Sequence, residues 1–246
     1  MTRFLLIHGA FGGSWCWAPV IGGLEAAGHT AEAIDLPGAG SDPTPLADVT
    51  LDLYAQRICA ALADGPPALR VGQSMGGMAI TQAAAQCPDR VAALAYVSAF
   101  VPQDGQSLLD LTAFPEAAGD QVQANIVVEG DPPIARMPAE AALQALYHCA
   151  PPERAAWAAA QLGPQPVAAF AQPVSLGDAG PRFAELPRAY VSCLQDRAIP
   201  LAMQRRMYTD ASCAPVIEID TDHSPWLSRT SELVSALNRI ASDLRV

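Results

Sequence analysis

Apolar positions along this chain come in two kinds of run. Short ones, RFLLIHG (3–9), HTAEAIDLPG (29–38), ALRVGQS (68–74), VAALAYVSAF (91–100), RAYVSCL (188–194) and PVIEID (215–220), have the length of strands and carry apolar residues on both faces. Between them lie stretches that read as helices, at 15–27, 50–63, Met75 to about Gln86, near 200–210 and about 225–243. Thr50 stands where an N-cap belongs, and Pro88 stops the third helix. Strands buried on both faces and joined by helical crossovers predict an α/β protein with a mostly parallel sheet of about six strands, flanked by helices.

Residues 102–182 break the rhythm. They are rich in Pro, Ala and Gln, with helical pieces such as PAEAALQALYHC and PPERAAWAAAQL and little that reads as a strand. Lying between two sheet strands, they are expected to form a helical cap inserted into a core domain made of 1–101 and 183–246. No repeat of fixed period is present.

Charge and composition narrow the partners. A hydrophobic content of 51% is ample for a core. The net charge of −11 and pI near 4.6 argue against nucleic acid and anionic membrane surfaces, which need a positive face. Ahead of His8 the apolar run is only four residues, too short for a secretory core, and no later stretch is long enough to span a membrane, so a cytoplasmic protein is expected. Six dispersed cysteines, with no C-x-x-C pair, are expected to act as small buried hydrophobes and to form neither a disulfide nor a metal site.

The candidate chemistry starts at Gly72-Gln73-Ser74-Met75-Gly76, a G-x-S-x-G motif placed between a strand and a helix. A sharp turn there lifts Ser74 clear of the sheet, and the helix start beneath it offers unpaired N–H groups. A serine nucleophile needs a base, and the base needs an orienting acid. Of the four histidines, His29 precedes a strand, His148 sits in the cap and His8 suits loop shaping. His223 follows the last strand, on the edge that carries Ser74. Asp196, in YVSCLQDRAIP, leaves another strand at that edge and is the expected acid; Asp104 is the runner-up, and Asp222 is poorly placed to orient its own neighbour. Oxyanion donors are expected from the backbone N–H groups of Met75 and of Ala10, the latter in a loop where Gly9, Gly12 and Gly13 permit an unusual path.

Together LIHGAFGGSWCW, DLPGAG, GQSMGG, CLQDRAIP and DTDHSPWL resemble the α/β-hydrolase superfamily, most closely its branch of plant methylesterases and hydroxynitrile lyases with the bacterial esterases related to them. The resemblance covers the chain outside 102–182. It implies the α/β-hydrolase fold, a triad of Ser74, Asp196 and His223, and Ala10 and Met75 as oxyanion donors. Lyases of this branch carry a threonine after the first-motif histidine and a lysine after the catalytic one. Here those positions are Gly9 and Ser224, which favours ester hydrolysis.

The expected activity is that of a serine carboxylesterase acting through an acyl-enzyme on small apolar or aromatic esters, with no metal and no organic cofactor. Phe11, Trp15, Trp17, Phe100, Leu111, Phe114, Tyr147 and Trp157 are the apolar candidates for its pocket. A lyase, or a slow-turnover ligand sensor on the same scaffold, are the alternatives. A homodimer is left open.

Overall fold

The structure, a computed structural model, describes residues 1–246. Its strands are β1 (Arg3–Ile7), β2 (Thr30–Ile34), β3 (Ala68–Ser74), β4 (Val91–Ala99), β5 (Val127–Glu129), β6 (Ile134–Arg136), β7 (Gln165–Pro166), β8 (Arg188–Cys193) and β9 (Val216–Ile219). Six of them form one parallel sheet in the order β2-β1-β3-β4-β8-β9. Phe4, Leu5, Leu6 and Ile7 of β1 are fully buried, as a central strand covered on both faces requires.

The helices of the core are α1 (Ala18–Ala26), α2 (Leu51–Ala61) and α3 (Gly76–Gln86), and Thr50 Oγ1 caps α2 by accepting the Leu53 N–H at 3.1 Å. From β1 the chain steps one way along the sheet to β2, then back past β1 to β3. Right-handed crossovers in opposite directions leave opposite faces, so the loops after β1 and β3 diverge and open a crevice between adjacent strand ends. The elbow at Ser74 stands in that crevice. Gly76 lets α3 start against β1, because a Cβ there would lie 2.7 Å from the Ile7 carbonyl oxygen and 2.8 Å from that of His8. Gly76→Ala forces backbone against backbone and is expected to cost about 1–3 kcal/mol of stability, measured as a lower urea midpoint.

Between β4 and β8 come α4 (Leu108–Thr112), α5 (Gln121–Asn125), α6 (Ala139–Ala145), α7 (Pro152–Ala160), α8 (Val167–Ala171) and α9 (Gly180–Glu185). This segment is not purely helical. Strands β5, β6 and β7 form a small antiparallel sheet, each too short to show an alternation in the sequence. After β8 follow α10 (Leu201–Asp210), α11 (Pro225–Ser228) and α12 (Thr230–Asp243). The last predicted helix is thus divided at Arg229, whose φ of −139° and ψ of 48° are not helical.

The cysteine expectation is corrected at one pair. Helices α2 and α3 pack side by side and bring Cys59 to Cys87, just beyond α3, in a disulfide with a Cα separation of 5.9 Å. Cys16, Cys193 and Cys213 are free and buried, and Cys149 is free and half-buried. No helix is long and apolar enough to cross a membrane.

Candidate active site

Ser74 ends β3 with φ at 55°, a left-handed backbone that a non-glycine residue adopts at a cost of about 1–3 kcal/mol and that turns its side chain out of the sheet. The parallel sheet sends the ends of β8 and β9 to the same edge, so the loops carrying Asp196 and His223 gather there with Ser74. His223 Nδ1 donates to Asp196 Oδ2 at 2.7 Å, and both residues are buried. The other oxygen, Oδ1, accepts the N–H groups of Ala198 at 2.6 Å and Ile199 at 2.9 Å. Ser74 makes no side-chain hydrogen bond to the imidazole, a bond that in many sites of this kind tightens only in the Michaelis complex. Ser74 and His223 line one cavity.

Three further residues hold this arrangement; the sequence reading gave a role to none of them and weighed only Asp222, as an acid poorly placed to orient its own neighbour. Ser98 has φ at 39° where the β3–β4 register shifts, and the bulge aims its hydroxyl at Asp196 Oδ2, to which it donates a hydrogen bond. A bulge leaves no mark in an apolar strand sequence, so no signal pointed to it. Gln73, a buried amide in an apolar strand and therefore a visible anomaly, donates from Nε2 to the His223 carbonyl at 3.0 Å. Asp222 is fully buried: Oδ1 accepts from Ser228 Oγ at 2.8 Å and the Ser224 N–H at 3.1 Å, while Oδ2 accepts the Cys149 N–H at 2.7 Å from the segment between α6 and α7.

The electrostatics follow. Burial alone pushes His223 toward neutrality, but the charge and hydrogen bond of Asp196, helped by Asp222 and Asp120, outweigh it and raise its pKa above the ordinary 6.5. His8 goes the other way, because burial lowers its pKa. Its Nδ1 donates to the Gly9 carbonyl at 2.8 Å and its Nε2 accepts the Leu36 N–H at 3.1 Å, which makes it a neutral shaper of the first loop.

In that loop the left-handed residue is Phe11, φ 64°, and not one of the glycines. Gly9 is needed for close approach, since a Cβ there would lie 2.8 Å from Ser74 Cβ. The N–H groups of Ala10 and Met75 donate to no backbone carbonyl, and both residues border the cavity beside Ser74. Asp35, with its pKa lowered to about 2, binds the Ser14 N–H at 2.6 Å and fixes the far end of the loop; burial opposes this shift, and the hydrogen bonds from Ser14 and Ser41 overcome it.

Two lobes meet at Ser74. The first is walled by Phe11, Phe100, Leu108, Val122 and Phe170; the second by Tyr147, Leu162, Trp226 and His223. Of the sequence-predicted pocket residues, Phe11, Phe100 and Tyr147 line these lobes, and five do not. Trp17 and Leu111 are core. Trp15 packs edge-on between Trp157 and Trp226 at 5.3 and 5.5 Å, leaving Trp157 half exposed on α7, and Phe114 lies under the Arg206 guanidinium at 3.8 Å. Asp104 is occupied elsewhere by the Leu176 N–H, and His29 accepts the Thr2 N–H at the far edge. His148 lies on the turn after α6.

Fold and comparison with known proteins together define a hydrolase. Residues 4–237 match the alpha/beta hydrolase family. Methylesterase 7 of Arabidopsis thaliana is 31% identical over 253 residues, covering 97% of this chain and 96% of its own, and an alpha-hydroxynitrile lyase of the same plant is 29% identical over 98% and 97%. The solved structure of polyneuridine aldehyde esterase superposes with a TM-score of 0.86 at 24% identity, covering 98% of this chain and 99% of that one. A methylesterase from Arabidopsis superposes at 0.84 and 25%, over 99% and 100%. The chain belongs to the alpha/beta hydrolase family, and within it to the carboxylic ester hydrolases.

Proposed function

We propose that the protein is a serine carboxylesterase for small esters with an apolar or aromatic part, and that Ser74, His223 and Asp196 carry the reaction. The observation that supports this most is the buried His223–Asp196 hydrogen bond facing a strained serine elbow. With Nδ1–H held by Asp196, Nε2 is the basic nitrogen and takes the Ser74 proton as Oγ attacks the ester carbonyl. The Ala10 and Met75 amides hold the oxyanion. His223 then returns its proton to the departing alcohol, and water cleaves the acyl-enzyme by the same steps. Because His223 borders the second lobe and not the first, the alcohol belongs in the second and the acyl group in the first.

A fluorophosphonate ester tests the nucleophile directly. Its phosphorus–fluorine bond breaks as Ser74 Oγ bonds to phosphorus, and mass spectrometry is expected to place one adduct on the peptide holding Ser74. An adduct on another serine overturns the assignment.

The base must be neutral to act, so kcat/KM is expected to rise with pH through a pKa above 6.5. Asp222→Asn removes a negative charge beside the imidazole and lowers that pKa. The acid limb moves down, and at pH 6 the variant keeps a larger share of its own maximal rate than the wild type does. An unmoved limb in a folded variant contradicts this.

The lyase reading, prompted by the 29% identical relative, loses support on charge. Residue 224 is a serine in the second lobe, and the chain contains no lysine, so the lysine cation of the branch's lyases is missing. Mandelonitrile is expected not to be cleaved. The segment 102–182 acts in this reading as the cap that shapes both lobes. A cytoplasmic location belongs to the same reading, where the Cys59–Cys87 bond must persist against a reducing poise; thiol counting in alkylated extracts tests it.

A further inference from the structure

We propose that Asp120 selects the acyl group: the first lobe takes acyl chains carrying a hydrogen-bond donor such as a hydroxyl and turns away chains that end in a carboxylate. This rests on ester hydrolysis as proposed above.

The lobe is lined by 15 residues, of which 11 are hydrophobic; Asp120 is the acid among the remaining four, which are Ser74, Thr112, Asp120 and Gln123. Asp120 also caps α5, which by itself is an ordinary helix-start role. Both capping bonds, however, end on one oxygen: Oδ1 accepts the Val122 N–H at 2.7 Å and the Gln123 N–H at 3.0 Å. Oδ2 has no protein partner. The loop that carries it is tied to the Asp196 loop, because the Gln121 N–H donates to the Arg197 carbonyl at 2.8 Å. Asp120 therefore stands at a fixed place between the lobe and the open depression beside Phe114, half-buried, with one acceptor oxygen unused.

The charged groups that face it are His223 and Asp196. Burial is the main influence on its carboxyl and raises its pKa to about 6, with Asp196 acting in the same direction and the two cap N–H groups and His223 opposing. At pH 8 it is ionised. A plain alkyl chain entering the lobe strips water from Oδ2 and offers nothing in return, whereas a hydroxyl replaces the lost hydrogen bond. A second carboxylate meets like charge in an apolar wall.

The test uses ethyl butyrate, ethyl 3-hydroxybutyrate and monoethyl succinate at pH 8 with the wild type, Asp120→Asn and Asp120→Ser. Both variants keep an oxygen able to cap α5 and remove the charge. Taking ratios of kcat/KM at one pH cancels the ionisation of His223. The wild type is expected to prefer the hydroxy ester over ethyl butyrate about tenfold, the value of a hydrogen bond to a charged group. Asp120→Ser brings that ratio near one, mainly through KM, and both variants gain several-fold on monoethyl succinate relative to ethyl butyrate. Equal ratios in all three proteins, or a wild type that prefers ethyl butyrate, overturn the selection by Asp120 while leaving the esterase standing. A folded wild type that hydrolyses none of the three esters overturns the esterase reading and the selection with it.

Discussion

Ser74→Ala is expected to hydrolyse a short p-nitrophenyl ester at about 10⁻⁴ to 10⁻⁶ of the wild-type kcat, the loss seen when a triad nucleophile is removed. The fold should be indifferent to the change. The Ser74 hydroxyl makes no hydrogen bond, so alanine leaves no buried partner unsatisfied, and the left-handed φ of 55° costs alanine no less and little more than serine. What remains in the variant is the oxyanion site and the binding lobes, which supply the residual rate. Circular dichroism and the urea midpoint should match the wild type while turnover disappears. A folded variant that keeps a tenth of the rate would return Ser74 to the status of a turn residue.

Asp196→Asn should lose nearly as much, about 10⁴-fold in kcat with KM little changed, for a reason specific to the bonds around this carboxylate. Oδ1 receives two backbone N–H groups, so an asparagine must keep its oxygen there and point its amide nitrogen at His223 and Ser98. That nitrogen can only donate. His223 Nδ1 then becomes the acceptor, the proton moves to Nε2, and the nitrogen facing Ser74 can no longer take a proton. Measured kcat across pH 6 to 9 distinguishes this from mere disorder, because a misfolded variant loses binding as well. Retention of most of the rate would show that Asp196 does not set the tautomer.

Much of the core could be read from the residues because its strands are buried on both faces and announce themselves as apolar runs. The limits of β3 at 68 and 74 coincide with the run ALRVGQS, and α3 ends at Gln86 just ahead of Pro88. That Ser74, Asp196 and His223 meet at one edge was legible for a related reason: a parallel sheet gathers all strand ends there, so position after a strand is position in space. The features that escaped depend on tertiary contact. Strands of two or three residues in β5 to β7 carry no period, and aromatic residues of the cap pack on one another, as Trp157 does on Trp15, in ways composition does not reveal. The Cys59–Cys87 bond requires knowing that α2 lies beside α3, and Ser98 requires knowing a register shift.

Asp222 joins two parts of the molecule that an engineer would treat as separate. One of its oxygens ties down the loop of His223, and the other holds the amide of Cys149, two residues beyond Tyr147 in the wall of the second lobe. Libraries that reshape residues 147 to 149 to admit larger alcohols will therefore loosen a charge that helps Asp196 raise the basicity of His223. Variants selected for a broader substrate range should arrive with a displaced pH optimum, and screening at a single pH would discard some of the best of them.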